Sequence, residues 1–270
     1  MATVTRLIMP VNHTVSVLSH RGLCAEENED HYIVDDNAGL YILADGMGGH
    51  VAGQQASELA CKSFQQACQD GQSLMEAMQT AHEAVLKAMD EDAALQGMGT
   101  TLVALQVAGE AFDLAWVGDS RAYLWHRGSL QQLTRDHNYA QLLIAQGMEP
   151  EVAMSNSQGA RLTQAIGVSR QMTLQADQLS GELYRDECLL LCSDGLSDEL
   201  SDDEIAGLID EALPLDQVVQ RLMNAALDHG GRDNITLLML RAGPEAAPRP
   251  PAVIQRRLPW YRRLALWLTG

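Results

Sequence analysis

The chain has 270 residues, enough for one large domain or two small ones. It is 46% hydrophobic but only 4% aromatic, so its core must rest on Leu, Ile, Val, Ala and Met. The formal net charge of −18 disfavours a nucleic-acid partner, whose phosphates would be repelled, and suits a protein that holds cations.

The charge is uneven. Residues 244–270 carry five Arg and one Glu, a local balance of +4, which leaves −22 on residues 1–243. The five cysteines, Cys24, Cys61, Cys68, Cys188 and Cys192, are odd in number and include no CxxC pair. They read as small buried hydrophobes in a reducing cytoplasm rather than as zinc ligands or disulfides. No signal peptide is visible, and no apolar run nears the roughly 20 residues that span a bilayer. The expected location is cytoplasmic, peripheral to a membrane only if the basic tail reaches one.

Along the chain, residues 31–35 (HYIVD) and 40–44 (LYILA) read as strands joined by the turn Asp36-Asn37-Ala38-Gly39. Antiparallel pairing about that turn sets Asp30 opposite Asp45 and brings Glu29, Asp30 and Asp45 to one end of a sheet. Two helices follow. Ala52, Ala56, Leu59, Ala60, Phe64 and Ala67 recur at helical spacing, as do Leu74, Met78, Ala81, Val85 and Met89. Ser73 with Glu76 predicts a capping box. Strand patterns return at 101–107, 112–117 and 122–125, with Gly118-Asp119-Ser120 as a tight connection. Residues 138–170 mix a short helical stretch with Gly147, Pro150 and Gly159 and read as a flap. A strand at 188–192, a helix capped by Ser201 and Glu204, a helix over 216–227 and a strand at 235–240 complete the body. Strands and helices are grouped more than alternated, which predicts an α+β fold. The tail begins with a linker composition (AAPRPP) and ends in the basic, aromatic, apolar segment RRLPWYRRLALWLTG. That segment suits either an interfacial or partner-binding amphipathic helix, or a tail docked on its own domain.

The acids fall in a regular place. Asp45, Asp119 and Asp194 each follow an apolar strand, Asp233 precedes one, and Glu29-Asp30 precede another. Converging carboxylates repel one another, and raised pKa values or bound metal must compensate. Oxygen donors without paired His or Cys favour Mg²⁺ or Mn²⁺. Two such ions can clamp a phosphoryl group and activate water against it.

NED (28–30), ADGMGGH (44–50), GTT (99–101), GDSRAYL (118–124), SDGLSD (193–198) and GGRDNIT (230–236) occur in this order. Together they resemble the bacterial branch of the PPM family, the PP2C-type protein serine/threonine phosphatases, over about residues 14–241. The resemblance implies a four-layer α/β/β/α sandwich with two central antiparallel sheets in residues 1–243. It implies that Asp45 bridges two Mn²⁺ or Mg²⁺ ions, that the Gly46 carbonyl binds one, and that Asp233 and Asp194 complete the two sites. Glu29 would accept hydrogen bonds from metal waters, with Asp30 as a direct or outer ligand. Asp119, with Asp194, matches a third ion. The nucleophile would be a metal-bridging water, and the substrate phosphoserine or phosphothreonine in proteins, opposing a bacterial Ser/Thr kinase.

The chain departs from the pattern at Ala25, where family members usually carry the Arg that pairs with the substrate phosphate. Arg21, four residues earlier, is a weak substitute. This gap keeps open an alternative, a weakly active or inactive phosphoprotein-binding module tethered by its tail. Hydrolysis of small phosphate esters is a third reading. His50 is expected in a structural role, because the position of the general-acid His of animal members is Met47. His137 is expected to organise the loop entering the flap, and Ser120 and Ser193 to serve as hydrogen-bonding turn residues.

Overall fold

The computed structural model describes residues 13–49, 51–168 and 173–249. His50 and the tail from residue 250 onward, to which the sequence assigns roles, lie outside the described residues.

Two antiparallel sheets form the centre. The first has the order β1 (His13–His20), β11 (Ile235–Ala242), β10 (Glu187–Cys192), β7 (Arg121–His126), β8 (Ser129–Gln132). The second has the order β2 (Asp30–Asp35), β3 (Leu40–Met47), β5 (Leu102–Ala108), β6 (Ala111–Val117), β9 (Asp177–Glu182), with the short β4 (Gly99–Thr100) against the end of β3. The helices α1 (Val51–Gln69) and α2 (Leu74–Glu91) cover the second sheet. The helices α6 (Asp202–Leu208) and α7 (Leu215–His229) cover the first. The flap carries α3 (Tyr139–Ala145) and α4 (Pro150–Met154), and one turn of helix, α5 (Asp194–Ser197), follows β10.

The near-continuous apolar runs of β3, β10 and β11 have a direct cause: both faces of each strand are covered. In β3, Leu40, Ile42 and Ala44 face the α1/α2 layer, while Tyr41 and Leu43 enter the core between the sheets. In β10, Cys188, Leu190 and Cys192 face α6 and α7, while Leu189 and Leu191 face the opposite sheet. Three apolar layers thus separate four structural ones, as the family resemblance implies.

The helical stripes expected from the sequence are the buried ones: Ala56, Ala60 and Phe64 in α1, and Met78, Ala81 and Val85 in α2. Capping boxes close the starts of α2, at Ser73 and Glu76, and α6, at Ser201 and Glu204. Cys61, Cys188 and Cys192 are buried, as expected, whereas Cys24 is exposed on the loop between β1 and β2.

The chain does not leave the body at residue 243. Ala246 is buried, the Ala247 amide donates to Glu110 Oε1 (2.7 Å), and Arg185 donates through its amide to Ala247 O (2.9 Å) and through Nε to Ala246 O (3.1 Å). The Arg249 guanidinium pairs with the fully buried Glu187 carboxylate and lies over the Tyr184 ring. Among the described residues no helix is long and apolar enough to cross a membrane.

Candidate active site

The β2–β3 hairpin pairs as its sequence predicts, with Asp30 directly opposite Asp45. The backbone of Asp45 is fixed by the GTT segment. Its amide donates to Thr101 Oγ1 (3.0 Å), and its carbonyl accepts from the Thr101 amide (2.9 Å) and from Thr100 Oγ1 (2.8 Å). Thr101 Oγ1 in turn lies 2.7 Å from Ser120 Oγ, which ties this end of β3 to the loop carrying Asp119. Glycine is required at position 46: a Cβ there would lie 2.2 Å from the Gly53 carbonyl oxygen and 2.7 Å from that of Glu29.

From the first sheet, β10 is followed directly by Ser193 and Asp194, and Asp233 and Asn234 lead into β11. Ser193 is a buried junction: its hydroxyl donates to Asp30 Oδ2 (2.8 Å) and accepts from the Thr236 amide (2.9 Å). Asn234 joins a third segment. Its side-chain amide donates to the carbonyls of Arg21 (2.9 Å) and Glu27 (3.0 Å), and its Oδ1 accepts from the Glu29 amide (2.7 Å).

The result is a cleft of about 380 Å³ at one edge of the two sheets. Glu29, Asp45, Gly46, Asp119, Asp194 and Asp233 all line it, and Asp30 is 7% exposed beneath them. A larger hollow of about 660 Å³ lies beside Trp125, Arg127 and Arg221, at the strand ends away from these acids, so size alone does not locate the chemistry.

No Lys, Arg or His lines the carboxylate cleft among the described residues. Ala25 does line it, so the position lacking the expected Arg is a wall of the site. Arg21 does not line it. Its guanidinium donates to the carbonyls of Ala25 (2.8 Å) and Glu26 (3.4 Å) and so braces the loop. Arg121 is held by Asp136, with Nη2–Oδ2 at 2.7 Å. His137 accepts from the Gly118 amide at Nδ1 (3.2 Å) and lies 3.3 Å from Asp177 at Nε2, organising the entry to the flap as expected.

Without cationic partners the acids resist ionisation. Burial pushes Asp30 up to about 7, with the charges of Asp194 and Asp233 adding to it against hydrogen bonds from Thr236 and Ser193. Burial and the Asp194 charge push Asp119 up to about 8. Asp194 rises to about 6 through burial and the charges of Asp198 and Asp233. Asp45 is raised by burial and then by Asp30, Asp194, Asp119 and Asp233. Two buried carboxylate oxygens, Asp30 Oδ1 and Asp194 Oδ1, have no hydrogen-bond donor among the described residues.

Orphaned anionic oxygens and raised pKa values in an oxygen-only cleft fit divalent cations. Among the described residues no three His, Cys, Asp or Glu side chains close into one ligand group.

The residues with no role assigned by sequence reasoning are the ones that hold the backbone: Thr100, Thr101 and Asn234. Their signal was present in the GTT and DN motifs, but nothing in a linear pattern says which carbonyl or amide they meet.

A two-sheet sandwich with a carboxylate cleft at its edge defines the class: an α/β/β/α sandwich whose acids converge at one end of the sheets. The model of the protein phosphatase 2C family matches residues 20–238, and the chain belongs to that family. It is 38% identical over 233 residues to the serine/threonine protein phosphatase PstP of Mycobacterium tuberculosis, an alignment covering 82% of this chain and 43% of that protein. The chain therefore spans less than half the length of that relative. It is 34% identical over 245 residues to the protein phosphatase PhpP of Streptococcus pneumoniae, covering 86% of this chain and 99% of PhpP. Among solved structures it is similar to the catalytic domain of PstP in complex with two manganese ions, with a TM-score of 0.73, 32% identity and coverage of 86% of this chain and 98% of that one.

Proposed function

We propose that the chain is a Mn²⁺- or Mg²⁺-dependent phosphatase that hydrolyses phosphoserine and phosphothreonine in proteins, opposing a Ser/Thr kinase. The observation that carries the reading is the cleft in which Asp45, Asp119, Asp194 and Asp233 converge with no cationic side chain of the described residues among them.

Asp45 would be shared between two ions, with Asp233 and the Gly46 carbonyl on one side and Asp194 on the other. Asp119, beside Asp194, would hold a third, and Glu29 and Asp30 would support the cluster from the hairpin. Bound cations would neutralise phosphoryl oxygens and lower the pKa of water. The protein's own part is to hold these carboxylates together, against their repulsion, on backbone fixed by Thr100, Thr101, Ser193 and Asn234. Because Ala25 supplies no guanidinium and Arg21 is engaged with the loop, phosphate recognition in this chain rests on the cations more than on an Arg clamp. Phosphorylated proteins are the substrates in this reading, and the tail past residue 250 is the candidate contact to a membrane surface or partner.

Calorimetric titration of Mn²⁺ into the metal-free protein tests the assignment. Wild type should bind at least two ions, Asp45→Asn should lose both, and Asp119→Asn should lose only a weaker third. Full stoichiometry in Asp45→Asn would refute the reading.

A further inference from the structure

The short loop that carries Asp233 is held on both sides. Asn234 ties it to the segment from Arg21 to Glu29, as described above. On the other side, Arg232 reaches the segment that follows Asp194. Its Nε donates to Glu199 Oε1 (2.9 Å) and its Nη2 to Glu199 Oε2 (3.2 Å), and its backbone amide also donates to Glu199 Oε1 (2.9 Å). Arg232 Nη2 also lies 3.3 Å from the Asp198 carbonyl oxygen.

Three features separate this contact from an ordinary surface ion pair, which contributes little. The Glu199 side chain is 3% exposed although that of Arg232 is 70% exposed. The guanidinium meets both carboxylate oxygens as a fork, the geometry that fixes direction as well as charge. The amide of residue 232 adds a bond to the same carboxylate, so the main chain next to Asp233 is fixed and not only a side chain. A Cβ on Gly230 would stand 3.4 Å from each Glu199 oxygen, so the loop packs closely over the carboxylate.

Neither Glu199 nor Arg232 lines the cleft. The contact instead links the two chain segments that deliver Asp194 and Asp233. Resting on the reading of those two acids as ligands, we propose that Glu199 and Arg232 are positioning residues. They clamp the Asp233 loop to the segment after Asp194 and hold the two carboxylates at binding separation before any cation arrives. Like charges in one cleft push their loops apart, and a link between the loops opposes that push. Residues that orient ligands in this way change metal affinity by about 10- to 100-fold.

Mn²⁺ affinity measured by calorimetry on the metal-free full chain tests the proposal, with turnover of p-nitrophenyl phosphate against Mn²⁺ concentration as a second readout. Glu199→Gln and Arg232→Ala should each weaken Mn²⁺ binding about tenfold. The double variant should lose less than the product of the two single losses, because both single variants break the same guanidinium–carboxylate fork, while the amide of residue 232 keeps its bond to Glu199 in Arg232→Ala. Arg232→Lys, which keeps the charge but loses the fork, should fall between wild type and Arg232→Ala. Turnover at saturating Mn²⁺ should return close to the wild-type rate. If Glu199→Gln does not fold, the exposed Arg232 variants carry the test. Wild-type affinity in Arg232→Ala, with affinity lost in Asp233→Asn, would overturn the clamp and leave the metal reading intact. Unchanged affinity in Asp233→Asn would overturn both.

Discussion

Asp30 and Asp45 face one another across a hairpin, and Asp119, Asp194 and Asp233 close on them from three other segments. No cationic side chain of the described residues shares the cleft, so the metal-free protein must keep some of these groups protonated. Asp30, Asp119 and Asp194 have pKa values raised to about 7, 8 and 6, against about 3.9 in an unfolded chain. Above pH 4 the folded state therefore binds more protons than the unfolded state, and stability falls as pH rises through these values. His13 and His31, whose pKa values burial lowers, act in the opposite sense but only at and below about pH 6.5. In chelator, the melting temperature should fall from pH 6.5 to pH 8.5, and saturating Mn²⁺ should reduce or reverse that fall. A melting temperature that rises over this interval in chelator would contradict the assignment of strained carboxylates. The identity of the acids was legible in the sequence because each stands at a strand end in a glycine-, serine- or asparagine-containing step. The hydrogen bonds that hold them were not, because Thr101 and Asn234 act on backbone amides, and Ser193 on the Asp30 carboxylate, from segments distant in the chain.

At the scale of elements, strands buried on both faces and helices with one apolar stripe announce themselves. The strands β3, β10 and β11 and the helices α1, α2 and α7 are of this kind. The strands β1, β8 and β9 are not: each ends a sheet and is only partly buried. SLQQ and DQLSGE lack a strong apolar alternation, and HTVSVLSH alternates only at Val15 and Val17, which face the core between the sheets, so pairing with a neighbour is what makes them strands. Capping is the local device most readily read in advance. At α6, Ser201 Oγ accepts from the Glu204 amide (3.4 Å) and the Ser201 amide donates to Glu204 Oε2 (2.9 Å). Ser201→Ala should lower unfolding free energy by about 1 kcal/mol in chemical denaturation, with little change in turnover. An unchanged midpoint would show that the helix start is fixed by packing alone.

At the scale of the whole molecule, the two sheets are joined at both ends. At the cleft end, hydrogen bonds from Ser193 to Asp30 and from the Glu29 amide to Asn234 cross between them. At the opposite end, residues 243–249 lie across Glu110, Tyr184, Arg185 and Glu187. This strap was not foreseen, because AAPRPP has a linker's composition and nothing in it reports the buried carboxylate waiting at Glu187. Arg249→Ala leaves that carboxylate without its cation, and should cost about 2 kcal/mol of stability in denaturant titration, a value moderated by the partial exposure of Arg249. No loss would show that the strap is incidental to folding. Deleting residues 250–270 removes the basic tail but keeps the strap, and turnover of a small phosphate ester should be unchanged; a large loss would place the tail in the catalytic unit. The central claim is that the Asp45 cluster is a cation-dependent phosphatase centre. Phosphate release from a phosphothreonine peptide, with Mn²⁺ and with chelator, tests it most directly in wild type and Asp45→Asn. The account predicts release by wild type only with Mn²⁺, and a loss of at least about 100-fold in Asp45→Asn. Release that persists in chelator, or that Asp45→Asn leaves unchanged, would contradict it.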